Sequence, residues 1–207
     1  MGVMMESETT RTRDNREEIE DELTLGRRDV IRALACSSCF AVLALPYTPS
    51  SAQTASRPQA GDQLVFFDDD KAGTVIKPVD LEIGQPPLLA YTKDPVTNAI
   101  RDSRASVLLL MKLKEADMDD ATKDKSAGGI VAYSAVCTHE GCSITAMNDT
   151  HRMAVCNCHG STFDLGNKGK VVEGPAVRRL AMLPLLLKNG ELLVAGKLDG
   201  PIGPPEA

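Results

Sequence analysis

Two short boxes limit this chain's options more than anything else in it. They read Cys137-Thr138-His139-Glu140-Gly141-Cys142 and Cys156-Asn157-Cys158-His159-Gly160-Ser161, and they hold four of the six cysteines and two of the three histidines. Written as spacing, this is C-x-H, sixteen residues, then C-x-x-H, with one further cysteine in each box. Each box follows a short apolar run and carries glycine, so two loop tips at strand ends are expected to face each other around a metal centre. Zinc accepts two thiolates and two imidazoles. It would leave Cys142 and Cys158 without a role, and C-x-H is tight for a zinc half-site. A framework of disulfides alone would leave the histidines without one.

The runs that would present these loops are short and β-branched, broken by Gly, Pro and Asp. They are 64–67, 74–79, 87–92, 106–113, 129–136, 144–146, 152–156, 170–172, 182–187 and 191–195. Lys188-Asn189-Gly190 between the last two is a hairpin signal. Only 115–125 reads as helix, and it is polar. The expected class is all-β, with small strands and long loops. Aromatic residues are 3% and Trp is absent, so the core must come from Val, Leu, Ile and Ala, and a base-stacking surface is not expected. The net charge of -6 also argues against nucleic acid.

The first 55 residues have a different character. Residues 1–28 are polar, with an acidic run from Glu17 to Glu22, and are expected to be disordered. Arg27-Arg28 then precede an apolar stretch from Ala33 to Leu45, followed by small residues. The arrangement resembles a Tat export signal. The apolar run of 13 residues falls short of the roughly 20 that span hydrocarbon. An uncleaved anchor is the alternative, and would bring residues 29–45 to the membrane. Cys36 and Cys39 in this stretch are taken as incidental small residues, and His151 as a solvated turn residue. Residues 56–63 are expected to be a linker, 64–199 the folded domain, with both boxes inside 129–182, and 200–207 a tail.

Across 129–182 the two boxes match without a gap the pattern of the Rieske iron–sulfur proteins, and the chain resembles that family. The resemblance implies an all-β antiparallel sandwich with a small cluster-binding subdomain at 129–182, and one [2Fe–2S] cluster, with Cys137 and Cys156 on one iron and His139 and His159 on the other. It also implies a disulfide between Cys142 and Cys158. Replacing two thiolates by neutral imidazoles leaves the oxidised cluster with less negative charge, which raises the potential into a range of about -150 to +300 mV. Ser161, after Gly160, matches a serine whose hydroxyl bonds a bridging sulfide. Phe163 stands where high-potential members carry a tyrosine, and Phe cannot donate the corresponding bond. Gly174-Pro175-Ala176 resembles the proline loop that covers the cluster, with Val177 in place of a second proline.

A one-electron centre without spare histidines for a mononuclear iron implies a relay between partners rather than a catalyst by itself. The expectation is the iron–sulfur subunit of a periplasmic oxidoreductase resembling the arsenite oxidase small subunit. It would be paired with a larger molybdopterin-type subunit and an acceptor such as a c-type cytochrome. The alternative is the Rieske subunit of a cytochrome bc complex, beside cytochrome b. A stand-alone Rieske ferredoxin fits the paired Cys142 and Cys158 less well. Glu140 is expected at the partner surface. Cytochrome bc subunits usually carry an apolar Leu there, and an unpaired buried carboxylate is costly.

Overall fold

The computed structural model describes residues 56–205 apart from 69, 149 and 151. The expectations for 1–55, with Cys36 and Cys39, and for His151 lie outside the described residues.

Strands β1 (Gln63–Phe66), β2 (Leu88–Lys93), β3 (Ile100–Arg101), β4 (Leu108–Lys112), β5 (Ile130–Ser134), β10 (Met182–Leu183), β11 (Leu185–Lys188) and β12 (Glu191–Val194) form one eight-stranded sheet. Its order is β10-β5-β4-β2-β1-β12-β11, with β3 on β2, and its pairings are antiparallel. Strands β6 (Ala146–Met147), β7 (Met153–Val155), β8 (Thr162–Asp164) and β9 (Lys170–Glu173) form a second, four-stranded antiparallel sheet in chain order.

The central strands are buried on both faces, which is why β4 and β5 read as continuous apolar runs. One face of β4 and β5, with Leu109, Met111, Val131 and Tyr133, shares a core with Ala154 and Phe163 of the small sheet and with Leu165 just after β8. The other face, with Leu108, Leu110, Ile130 and Ala132, packs with Leu64, Ala90, Leu183, Leu185, Leu192 and Val194. The small sheet is thus held against the large one by side chains that alternate along β4 and β5.

Several elements differ from the sequence expectation. The run 74–79 forms no strand: Val75 makes one bridge to Val65, and Pro78–Asp80 turns into a 3-10 helix closed by the Asp80 carboxylate on Lys77 N–H. The run 182–187 is divided at Pro184, which has no N–H to give the ladder. The helix expected over 115–125 splits into a 3-10 turn, Glu115–Asp117, and a short α1, Asp120–Lys123. Asp119 causes the break, because its carboxylate accepts Thr122 N–H at 2.7 Å and starts a new helix there.

The 56–63 stretch is engaged rather than free. Gly61 N–H donates to Val194 O, and Asp62, 3% exposed, receives Arg101 through Nε at 2.7 Å and Nη2 at 3.1 Å. The 200–207 tail is engaged as well: Arg178 donates to the carbonyls of Gly203 and Pro204. Among the described residues no helix is long and apolar enough to cross a membrane.

Candidate metal centre

The two boxes fold into loops of the same construction. In the first, Cys137 N–H donates to Cys142 O at 2.8 Å and Gly141 N–H to Cys137 O at 2.9 Å. In the second, Cys156 N–H donates to Ser161 O at 2.8 Å and Gly160 N–H to Cys156 O at 2.9 Å. Gly141 and Gly160 occupy equivalent places with φ of 74° and 72°, in the left-handed region that favours glycine. The first loop leaves β5 and the second leaves β7, so the shared core fixes their separation. Cys142 and Cys158 are joined by a disulfide with Cα atoms 6.6 Å apart, which ties the tips together.

Cys137 and Cys156 remain free thiols, each about 1% exposed, at the base of the two loops. Burial pushes the Cys137 thiol up, while the His139 N–H and the Ser161 hydroxyl, both donating to its sulfur, pull the other way. The Cys156 thiol neighbours that of Cys137 and adds to the upward push on it. Above them the imidazoles meet edge to face, with Nδ1 atoms 3.2 Å apart and rings at 88°. His159 is half exposed, and the Glu140 carboxylate, 62% exposed, stands 3.8 Å from its Nε2. Two buried thiols and two imidazoles whose Nδ1 atoms face each other are donors that a metal centre could use; His139, Glu140 and His159 offer ligand atoms within 4.8 Å of one another, and Cys156 does so with the disulfide sulfurs.

A loop covers this set. Gly174, with φ of 85°, sits so close to the second box that a Cβ would lie 2.5 Å from Ser161 Cα. Ala176 N–H donates to Ser161 Oγ at 3.1 Å, and Thr138 Oγ1 donates to Arg178 O at 2.6 Å. Pro175 is exposed on this loop and Val177 is 71% exposed. Phe163 is fully buried in the core that also contains Cys137 and Cys156. Sequence reasoning placed the cysteines, the histidines, Ser161, Phe163 and Pro175 in this region. It missed Thr138, Gly141 and Arg178. The glycine could have been found from its place four residues after the first cysteine, matching Gly160.

The Rieske [2Fe-2S] domain family matches residues 108–184, which span both boxes and the covering loop. Over 135 residues the chain is 32% identical to the cytochrome bc1 complex Rieske iron-sulfur subunit of Streptomyces lividans, covering 62% of this chain and 78% of that one. Over 102 residues it is 36% identical to a Haloferax mediterranei protein described as a respiratory nitrate reductase Rieske subunit, covering 49% of this chain and 46% of the relative. A crystal structure of a plasma-membrane Rieske protein from Synechocystis overlays at a TM-score of 0.38 with 23% identity, covering 57% of this chain and 93% of that one. With the boxes, the paired disulfide and a relative covered over most of its length, the chain belongs to the Rieske iron–sulfur proteins, electron-transfer proteins whose domain binds one [2Fe–2S] cluster.

Proposed function

We propose that Cys137 and Cys156 bind one iron of the cluster and His139 and His159 the other. The chain would then relay single electrons as the iron–sulfur subunit of an exported oxidoreductase complex. The observation that carries this is the division of donors: two buried free thiols, and two imidazoles whose Nδ1 atoms converge at 3.2 Å. The other two cysteines are spent in a disulfide and do not compete. When bound, such a centre accepts and returns one electron without making or breaking a bond in the protein. Ser161 and the His139 N–H hold hydrogen bonds to the Cys137 sulfur, the covering loop limits water, and the half-exposed His159 edge offers a short way out for the electron.

Glu140 supports a polar partner surface, because its carboxylate stands in the open beside His159. An apolar quinol pocket closing on it would have to bury that charge. This favours a complex of the kind suggested by the resemblance to the arsenite oxidase small subunit, with a large molybdopterin-type subunit and a c-type cytochrome acceptor. The relationship to the Streptomyces lividans subunit favours the second reading, a cytochrome bc complex. The disulfide supports an oxidising compartment. With the Tat-like segment, that argues for the periplasm, soluble or held at the inner membrane by an uncleaved signal.

The test is purification of the tagged full-length chain from its own cells in mild detergent. A brown preparation with a rhombic EPR signal after dithionite is expected. A molybdopterin subunit alongside, and a mature N-terminus near Gln53 or Ser56, support the first reading. Cytochrome b alongside an intact Met1 turns the assignment to the second. Colourless, iron-free material overturns both.

A further inference from the structure

The covering loop is held from two sides. On the inner side Thr138, fully buried between Cys137 and His139, donates to the carbonyl of Arg178. On the outer side the Arg178 guanidinium donates through Nη2 to Gly203 O at 2.5 Å and Pro204 O at 2.9 Å. Arg178 Nε is buried with no hydrogen-bond partner among the described residues, so the placement of the guanidinium depends on those two carbonyls. The C-terminal segment is itself fixed at its root. Asp199 receives Lys125 at 2.5 Å, Arg179 at 2.8 Å and Met182 N–H at 2.8 Å. At its far end the segment lies against the first box. A Cβ on Gly203 would stand 3.3 Å from Val136, and one on Gly141 3.6 Å from Pro204.

Between these two holds, Ala176 N–H donates to Ser161 Oγ at 3.1 Å and so occupies an acceptor site of that hydroxyl, which stands beside the Cys137 thiol. We propose that Arg178 is a positioning residue: with residues 201–205 as a strap, it holds the covering loop down on Ser161 and so keeps that hydroxyl turned towards the cluster site. The inference rests on the cluster reading given above. A donor aimed at a sulfur of the centre favours the electron-richer state. Releasing the strap therefore lets the hydroxyl turn away and weakens the reduced form.

The experiment uses the full chain, Arg178→Gln, Arg178→Lys, and a chain lacking residues 203–207. The last is made with and without Arg178→Gln, and Arg178→Gln is also made in a Ser161→Ala background. Amide exchange at Ala176 and the midpoint potential are followed, with iron content as a control. Arg178→Gln and the shortened chain should each speed Ala176 exchange about tenfold, as expected for loss of one ordinary hydrogen bond. Each should lower the midpoint by the same amount, and together they should do no more. Arg178→Lys, which still reaches a carbonyl, should lie between. In Ser161→Ala, Arg178→Gln should leave the midpoint where it is.

Unchanged exchange at Ala176, or an equal drop of the midpoint in Ser161→Ala, overturns the proposal. If Arg178→Gln does not fold, the shortened chain and Arg178→Lys decide. An unaltered chain without iron would defeat the cluster reading instead, and exchange at Ala176 would still report on the strap.

Discussion

The hydroxyl of Tyr133 donates to the backbone carbonyl of Leu165 at 2.6 Å, and both residues are fully buried. This bond stitches β5 of the large sheet to the residue just after β8 of the small one, within the core that also holds Cys137 and Cys156. Burial pushes the Tyr133 phenol well up; the Thr122 hydroxyl opposes this, and the carboxylates of Asp119, Asp199 and Asp164 add to it. The folded chain therefore keeps its proton where the unfolded chain has lost it. The stability this gives is complete below the unfolded value of about 10 and is lost as pH rises towards the folded one, at about 1.4 kcal/mol per pH unit. Urea titrations above pH 10 should show that slope in the native chain and a shallower one in Tyr133→Phe. At neutral pH Tyr133→Phe should cost about 1–3 kcal/mol, because the Leu165 carbonyl is orphaned. Equal alkaline slopes would rule out Tyr133 as the source.

The Cys142–Cys158 bond spans a sequence separation of 16 and joins two loops that have little core of their own at their tips. Cys142→Ser combined with Cys158→Ser should lower unfolding stability by roughly 3 kcal/mol on the loop-entropy account. Iron should be lost on mild heating that the native chain survives. Calorimetry with and without dithiothreitol checks this; a melt that does not move once both thiols titrate as free would contradict it.

Phe163 fills a fully buried place in the core shared with Cys137 and Cys156. A phenol there needs a hydrogen-bond partner, and a ligand sulfur is the acceptor that the family resemblance implies. Phe163→Tyr should raise the midpoint by about 60 mV, the shift that matches a factor of ten for a one-electron couple. Protein-film voltammetry reads it directly, and an unchanged or lower midpoint speaks against the assignment.

Glu140 places one negative charge 3.8 Å from His159 Nε2. Small oxidants of opposite charge should feel it. Glu140→Gln should slow oxidation of the reduced protein by a cationic cobalt phenanthroline complex, and speed oxidation by ferricyanide. Each change should be roughly threefold at low ionic strength and fade as salt is added. Stopped-flow rates that move in the same direction for both oxidants would show that charge at the exit is not what Glu140 contributes.

How much of this could be read before the structure depended on the range of the contact. Strands β4 and β5 announced themselves because burial on both faces leaves an unbroken apolar run. Strand β8, Thr162–Asp164, was missed: it is three residues long, and Thr162 and Asp164 are buried polar groups that no hydrophobic pattern marks. The metal-centre residues were legible because the chemistry fixes residue type and spacing within a few positions. The Asp62–Arg101 pair, the Thr138 bond to Arg178 O and the contacts of Arg178 with Gly203 and Pro204 join residues 25 to 40 positions apart. Nothing local requires their residue types, so the sequence marked 56–63 only as a linker and 200–207 only as a tail, with no sign of these contacts.

The seating of Gly174 has a consequence for sequences beyond this one. Its missing side chain is demanded twice, by a φ of 85° and by the Ser161 backbone where a methyl group would have to go. Ser161 cannot yield without dragging the second box with it. A Rieske sequence that carries alanine or anything larger at the equivalent place must therefore wear its lid differently. That single letter separates chains whose lid can lie flush from chains whose lid stands proud.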